Sequence, residues 1–172
     1  MEKKNFSSIT VHSFIRGYHV YKDETTWVPE IGEQRRLKRE PLNEKDGNAV
    51  AVVRPLSRNF TEAEHPNTVS KEDEIVGHIP LQMSQYVSKL LKRRTNIGKA
   101  IITGKRVNRG AGYGLQIPCS YIFYGDNDIS IPWLKEKIES TGIFHIEQRL
   151  GNLCILLMKL CTDSVSFWNR SL

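Results

Sequence analysis

Cysteine is scarce in this chain. Cys119, Cys154 and Cys161 form an odd set without CxxC spacing, which argues against a disulfide framework and a zinc site and leaves buried free thiols as the expectation. Long apolar runs are also missing. The longest, LCILLM at 153–158, is far too short to span a bilayer, and the opening MEKKNFSSITVHSF has no continuous apolar core of a signal peptide. A soluble, intracellular protein is expected. His12, His65 and His145 show no metal-ligand spacing, NRGAGYG at 108–114 lacks the GK[ST] ending of a phosphate loop, and no Ser/His/Asp or Cys/His arrangement is evident. The sequence therefore gives no case for an enzyme, a cofactor or a metal, and it contains no internal repeat.

What is present suffices for a core. With 172 residues, 39% hydrophobic and 26% charged, one folded domain plus an appendage is expected. The net charge of +6 is uneven: residues 1–125 carry 20 Lys/Arg against 13 Asp/Glu, residues 126–172 carry 5 against 6. The positive field belongs to the first part, and an excess of that size leans towards a polyanionic partner such as nucleic acid.

Residues 9–21, ITVHSFIRGYHVY, are rich in β-branched and aromatic types and shift parity near Gly17, which predicts a strand with a sharp bend. RRLKREP reads as a short edge strand, 48–54 as a buried strand, and 74–80, EIVGHIP, as a strand stopped by Pro80. Between the last two, residues 55–74 read as a mobile surface loop. LQMSQYVSKLLKRR places Met83, Tyr86, Val87, Leu90 and Leu91 on one helical face, suited to packing on a sheet. Residues 99–124 read as a hairpin around the glycine-rich turn. Many short strands with one inserted helix predict a small barrel. In residues 126–172 the pattern predicts two helices, PWLKEKIES and, after Thr141-Gly142, an apolar one over 143–161. RRLKR at 35–39 and KRR at 92–94 are basic clusters that read as solvated faces, import patches or backbone contacts.

The densest block is EPLNEKDGNAVAVVRP, residues 40–55, a turn-forming loop set directly against a buried strand. Asn, Asp and Gly brace turns because their side chains cap local backbone and tolerate left-handed geometry. The block matches the pattern EPxNxxDxNAVxV in one frame. Together with FIRGYHVY, VGHIP followed by a helix, and a closing strand ending in FYG, it resembles the HIRAN domain over about residues 11–125. That family occurs in front of SNF2-type helicase and ubiquitin-ligase proteins of DNA damage tolerance, and in stand-alone form.

The resemblance implies a mainly β (α+β) fold, an OB-like or SH3-like modified small β-barrel with an inserted helix over residues 9–125, followed by a helical C-terminal extension over 126–172. It also implies a non-catalytic module that captures the 3′ end of single-stranded DNA, in a nuclear repair setting. Asp46 stands at the position of the carboxylate that accepts from the free 3′-OH, a group that would repel a phosphate. Asn43 and Asn48 brace the loop or touch the last nucleotide. Gly17 aligns the chain so that the family's aromatic pair falls on Val20 and Tyr21 and the basic residue before it on His19. The aromatic before the aspartate is Lys45, the lysine after VGH lies at Leu81, and an aromatic of the closing strand aligns near Leu115, with Tyr113 as a substitute. Lys45 is suited to pairing with a phosphate, Tyr18 or Tyr21 to stacking on a base, and His78 keeps the family's position beside the phosphate. The other reading is a barrel that has lost its DNA pocket and serves a protein partner or a second copy of the chain through residues 126–172.

Overall fold

The computed structural model describes residues 6–21, 27–55, 66–108, 110, 112 and 114–149. The first strand, β1 (Phe6–Ile15), turns Ser7, Ile9, Val11 and Ile15 inward and His12 outward, the period-2 pattern of a strand with one buried face. It ends at Ile15, earlier than the expected strand over 9–21. Gly17, at φ +72°, then reverses the backbone into a single helical turn, α1 (Tyr18–Tyr21). Next come β2 (Gln34–Arg39), β3 (Val50–Pro55), β4 (Asp73–His78), α2 (Leu81–Leu91), β5 (Ile97–Ile102), β6 (Val107–Asn108) and β7 (Leu115–Asp126). The helix α3 (Ser130–Glu139) and the strand β8 (His145–Arg149) follow.

The sheet is antiparallel in the order β4-β3-β2-β5-β7-β1-β8, with β6 on β7. The fold is mainly β with an inserted helix, and hydrogen-bond ladders do not close the sheet into a barrel. A two-residue bridge nevertheless ties β4, at one end of the sheet, to the residue that follows β1: Arg16 N–H donates to the His78 carbonyl and His78 N–H to the Arg16 carbonyl, each at 2.8 Å. Only glycine at position 77 permits that approach, because a β-carbon there would stand 2.5 Å from Ile15 Cγ2.

The segment expected as an edge strand, β2, lies inside the sheet between β3 and β5. Charge misled the reading: Lys38 is buried because its Nζ donates to Asp73 Oδ2 at 2.6 Å, and Leu37 packs against the bare backbone of Gly98. β3 is buried on both faces from Val50 to Val53, as its unbroken apolar run requires. The helix α2 lays Met83, Val87, Leu90 and Leu91 on the core. Of the expected mobile loop, residues 56–65 lie outside the described residues, while Asn67 is 1% exposed and its Nδ2 faces the carbonyls of Leu91, Arg93 and Asn96.

After β7, α3 adds Ile131, Leu134 and Ile138 to the same core. The second helix expected over 143–161 is corrected in its first part. Residues 145–149 form β8, paired with β1 from His12↔His145 to Ser8↔Arg149. Phe144 and Ile146 pack towards the core while His145 and Glu147 point out, and this alternation decides for a strand. The remainder of that helix, with most of the tail proposed for protein association, lies outside the described residues. No helix among the described residues is long and apolar enough to cross a membrane.

Candidate functional site

The turn residues of EPLNEKDGN build a self-braced loop. Glu40 N–H donates to the Ala49 carbonyl at 2.9 Å and closes its neck. Asn43 Oδ1 accepts from the amides of Lys45 (3.0 Å) and Asp46 (3.2 Å), and Asp46 Oδ1 accepts from Asn48 N–H at 2.8 Å. These are the Asx turns such residues favour. Ser84 of α2 ties the loop down through a 2.7 Å bond to the Asn48 carbonyl. Lys45 and Asn48 are exposed and Asp46 is half-buried. One carboxylate oxygen of Asp46 is thus engaged with its own loop, and no hydrogen bond among the described residues reaches Oδ2.

His78 stands where three segments meet. Its Nε2 forms a short hydrogen bond with Glu40 Oε2 at the neck of the loop. The Tyr21 ring of α1 lies against the imidazole, with centroids 5.7 Å apart and planes tilted by 46°. The His78 and Glu40 side chains are 22% and 15% exposed, so the pair is largely shielded yet reachable from solvent. Gly17 sets the turn that delivers Tyr21, and the Arg16–His78 bridge holds that turn against β4.

The neck of loop 40–49, α1 and the end of β4 therefore meet at His78, which touches Glu40 and Tyr21, while Asn43, Lys45, Asp46 and Asn48 lie on the loop that this neck closes. Tyr18 is placed differently. At 2% exposure its ring packs edge-on against Trp27 at 5.9 Å, and its hydroxyl donates to the Trp27 carbonyl at 3.2 Å. His19 is exposed and lies against the turn before β7, where any side chain on Gly114 would collide with its ring. Leu81, standing where the family pattern has lysine, is 72% exposed, and Val20 and Leu42 are exposed as well. Loop 40–49, α1 and the start of α2 thus carry apolar side chains at their surface.

Two residues of this region went unread in the sequence. Glu40 lies inside the matched block, yet only the fold reveals its partner, 38 residues away. Arg106 of the β5–β7 connection is exposed, with its guanidinium 5.9 Å from the Tyr18 ring centroid, and supplies positive charge beside α1. The cluster RRLKR is not a solvated face: Arg35 pairs with Glu33, Lys38 with Asp73, and Arg39 Nε donates to Ser88 Oγ at 3.2 Å. In KRR, Arg93 pairs with Asp126 at 3.0 Å. Among the described residues, no group of three or more His, Cys, Asp or Glu is placed to hold a metal.

No curated protein matches the chain. Among solved structures, the fold is similar to the crystal structure of the HIRAN domain of human HLTF, with a TM-score of 0.51 and 18% identity over 85% of this chain and 98% of that one. The NMR structure of the HLTF HIRAN domain aligns with a TM-score of 0.45 and 20% identity, over 79% of this chain and 93% of that one. The family model of the HIRAN domain matches residues 9–123, so a sheet drawn together at Arg16 and His78, with the braced loop 40–49 at its end, belongs to a member of the HIRAN domain family.

Proposed function

We propose that the chain is a non-catalytic DNA-binding module that takes the 3′ end of a single strand through its free hydroxyl. The observation that supports this reading is His78 at the end of β4, set against the Tyr21 ring and tied to Glu40 at the neck of the polar loop 40–49. Each part supplies what a terminal nucleotide needs. Tyr21, half-buried, is the aromatic suited to stacking on a base, a contact worth roughly 1–3 kcal/mol. Asp46 Oδ2 is an acceptor for the hydroxyl proton. Lys45, exposed at the loop tip, and Arg106 beside α1 attract the phosphates, while Asn43 and Asn48 hold the loop in shape. With one aromatic ring at the site instead of several, the affinity is modest.

The test is fluorescence anisotropy with short labelled oligonucleotides ending in 3′-OH or 3′-phosphate, repeated with Asp46→Ala. Preference for the hydroxyl that shrinks in the variant is expected. Equal, salt-sensitive binding to both ends would reduce the interaction to charge attraction alone and remove the reading.

A further inference from the structure

A carboxylate has no proton to give and only accepts hydrogen bonds. With Glu40 ionised, the Glu40–His78 pair calls for a ring proton on Nε2. Fixing one imidazole nitrogen as a donor fixes the role of the other: in the neutral ring, Nδ1 then carries a lone pair. No hydrogen bond among the described residues reaches Nδ1. Tyr21 packs against the ring and opposes its rotation, and the paired backbone bonds between Arg16 and His78 fix the main chain that carries it.

We infer that Glu40 is a specificity-determining residue of this site: it holds His78 with a lone pair on Nδ1, so that the ring offers a terminal phosphate no proton and leaves Asp46 Oδ2 to take the terminal hydroxyl. This deepens, and rests on, the reading of the site as a pocket for a DNA end. It reverses the role expected for His78, since a ring locked in this way offers a phosphate no proton. Glu40 adds a second discrimination through its own charge. A terminal phosphate monoester carries between one and two negative charges near neutral pH and is repelled by a shielded carboxylate, whereas a hydroxyl is not. Asp46 Oδ2 accepts from the hydroxyl, and the Glu40–His78 pair adds the bar against a phosphate.

Two measurements test this. Long-range ¹H–¹⁵N correlation of the imidazoles in the wild-type protein, taken at about pH 8, above the ordinary histidine range, is expected to show His78 as the Nε2–H tautomer. In Glu40→Gln the amide can either donate or accept, so the tautomer is no longer dictated. The same variant keeps the size of the side chain and is expected to melt like the wild type. Its preference for 3′-OH over 3′-phosphate in the anisotropy assay is expected to narrow about tenfold, equivalent to about 1.4 kcal/mol. A wild-type Nδ1–H tautomer, or a variant that keeps the full preference, overturns the role of Glu40 and leaves the DNA-end reading standing. Wild-type protein with no preference for the hydroxyl overturns both.

Discussion

A methyl group on Gly77 would stand 2.5 Å from Ile15 Cγ2 and 2.7 Å from the Arg16 carbonyl oxygen. That closeness is what lets Arg16 and His78 exchange two backbone hydrogen bonds and bring α1 to the loop 40–49. Gly77→Ala is therefore expected to lower stability by about 3 kcal/mol, the range for overpacking a tight contact. Urea unfolding measures the loss, and a change under 0.5 kcal/mol would show that the two segments part without cost. DNA-end affinity is expected to fall as well, because the bridge positions both Tyr21 and His78.

Asn67 locks the returning chain to the end of α2. Its Nδ2 lies 3.3, 3.2 and 2.8 Å from the carbonyls of Leu91, Arg93 and Asn96, two N–H groups shared among three acceptors. Asn67→Ala leaves buried carbonyls without their donor, and removing one partner of a buried hydrogen bond costs about 1–3 kcal/mol. A loss near 3 kcal/mol is expected, with faster hydrogen exchange at the last amides of α2. Unchanged exchange there would place the stabilisation elsewhere.

Asp126 prepares the start of α3. Burial pushes its carboxyl pKa up, but the N–H and Oγ–H of Ser130, the N–H of Ile129 and the Arg93 guanidinium outweigh that and hold it below the usual carboxylate range. A group with a depressed folded pKa adds stability that is fully present above its unfolded value, about 3.9, and is lost as pH falls through the folded one. Wild-type stability is expected to decline over this acid range more steeply than that of Asp126→Asn. At neutral pH, Asp126→Ala is expected to cost about 1 kcal/mol, as for the loss of a helix cap. Parallel acid profiles for wild type and Asp126→Asn would refute the assignment.

Cys119 lies within the core on β7, and burial pushes its thiol up to about 12. The thiolate is the reactive form. Native protein at about pH 8 is expected to leave Cys119 unalkylated, with labelling that follows global unfolding as denaturant is added. Peptide mass spectrometry separates this site from Cys154 and Cys161. Rapid labelling in the native state would mean that β7 opens locally.

Much of the architecture was legible because it is written in local periods. The alternation in β1, the apolar run of β3 and the helical face of Met83, Val87, Leu90 and Leu91 each announce an element whose geometry is set by neighbours a few residues away. The errors fell where charge or length gave a misleading local signal. Basic residues made β2 look like an edge, whereas Lys38 is buried by virtue of Asp73, 35 residues later. An apolar stretch after Gly142 looked helical, whereas β1 offered its first residues a free edge to pair with.

By itself the sequence determined the family block 40–55, a mainly β fold with one inserted helix, and the turn chemistry of Asn43, Asp46 and Asn48, because all of these rest on residue types at short spacing. The tertiary structure alone decided that Glu40 meets His78, that Tyr21 lies against His78 while Tyr18 fills the core, and that Arg16 and His78 draw the sheet together. Those contacts join residues far apart in the chain, and their geometry exists only once packing has fixed the positions of both partners.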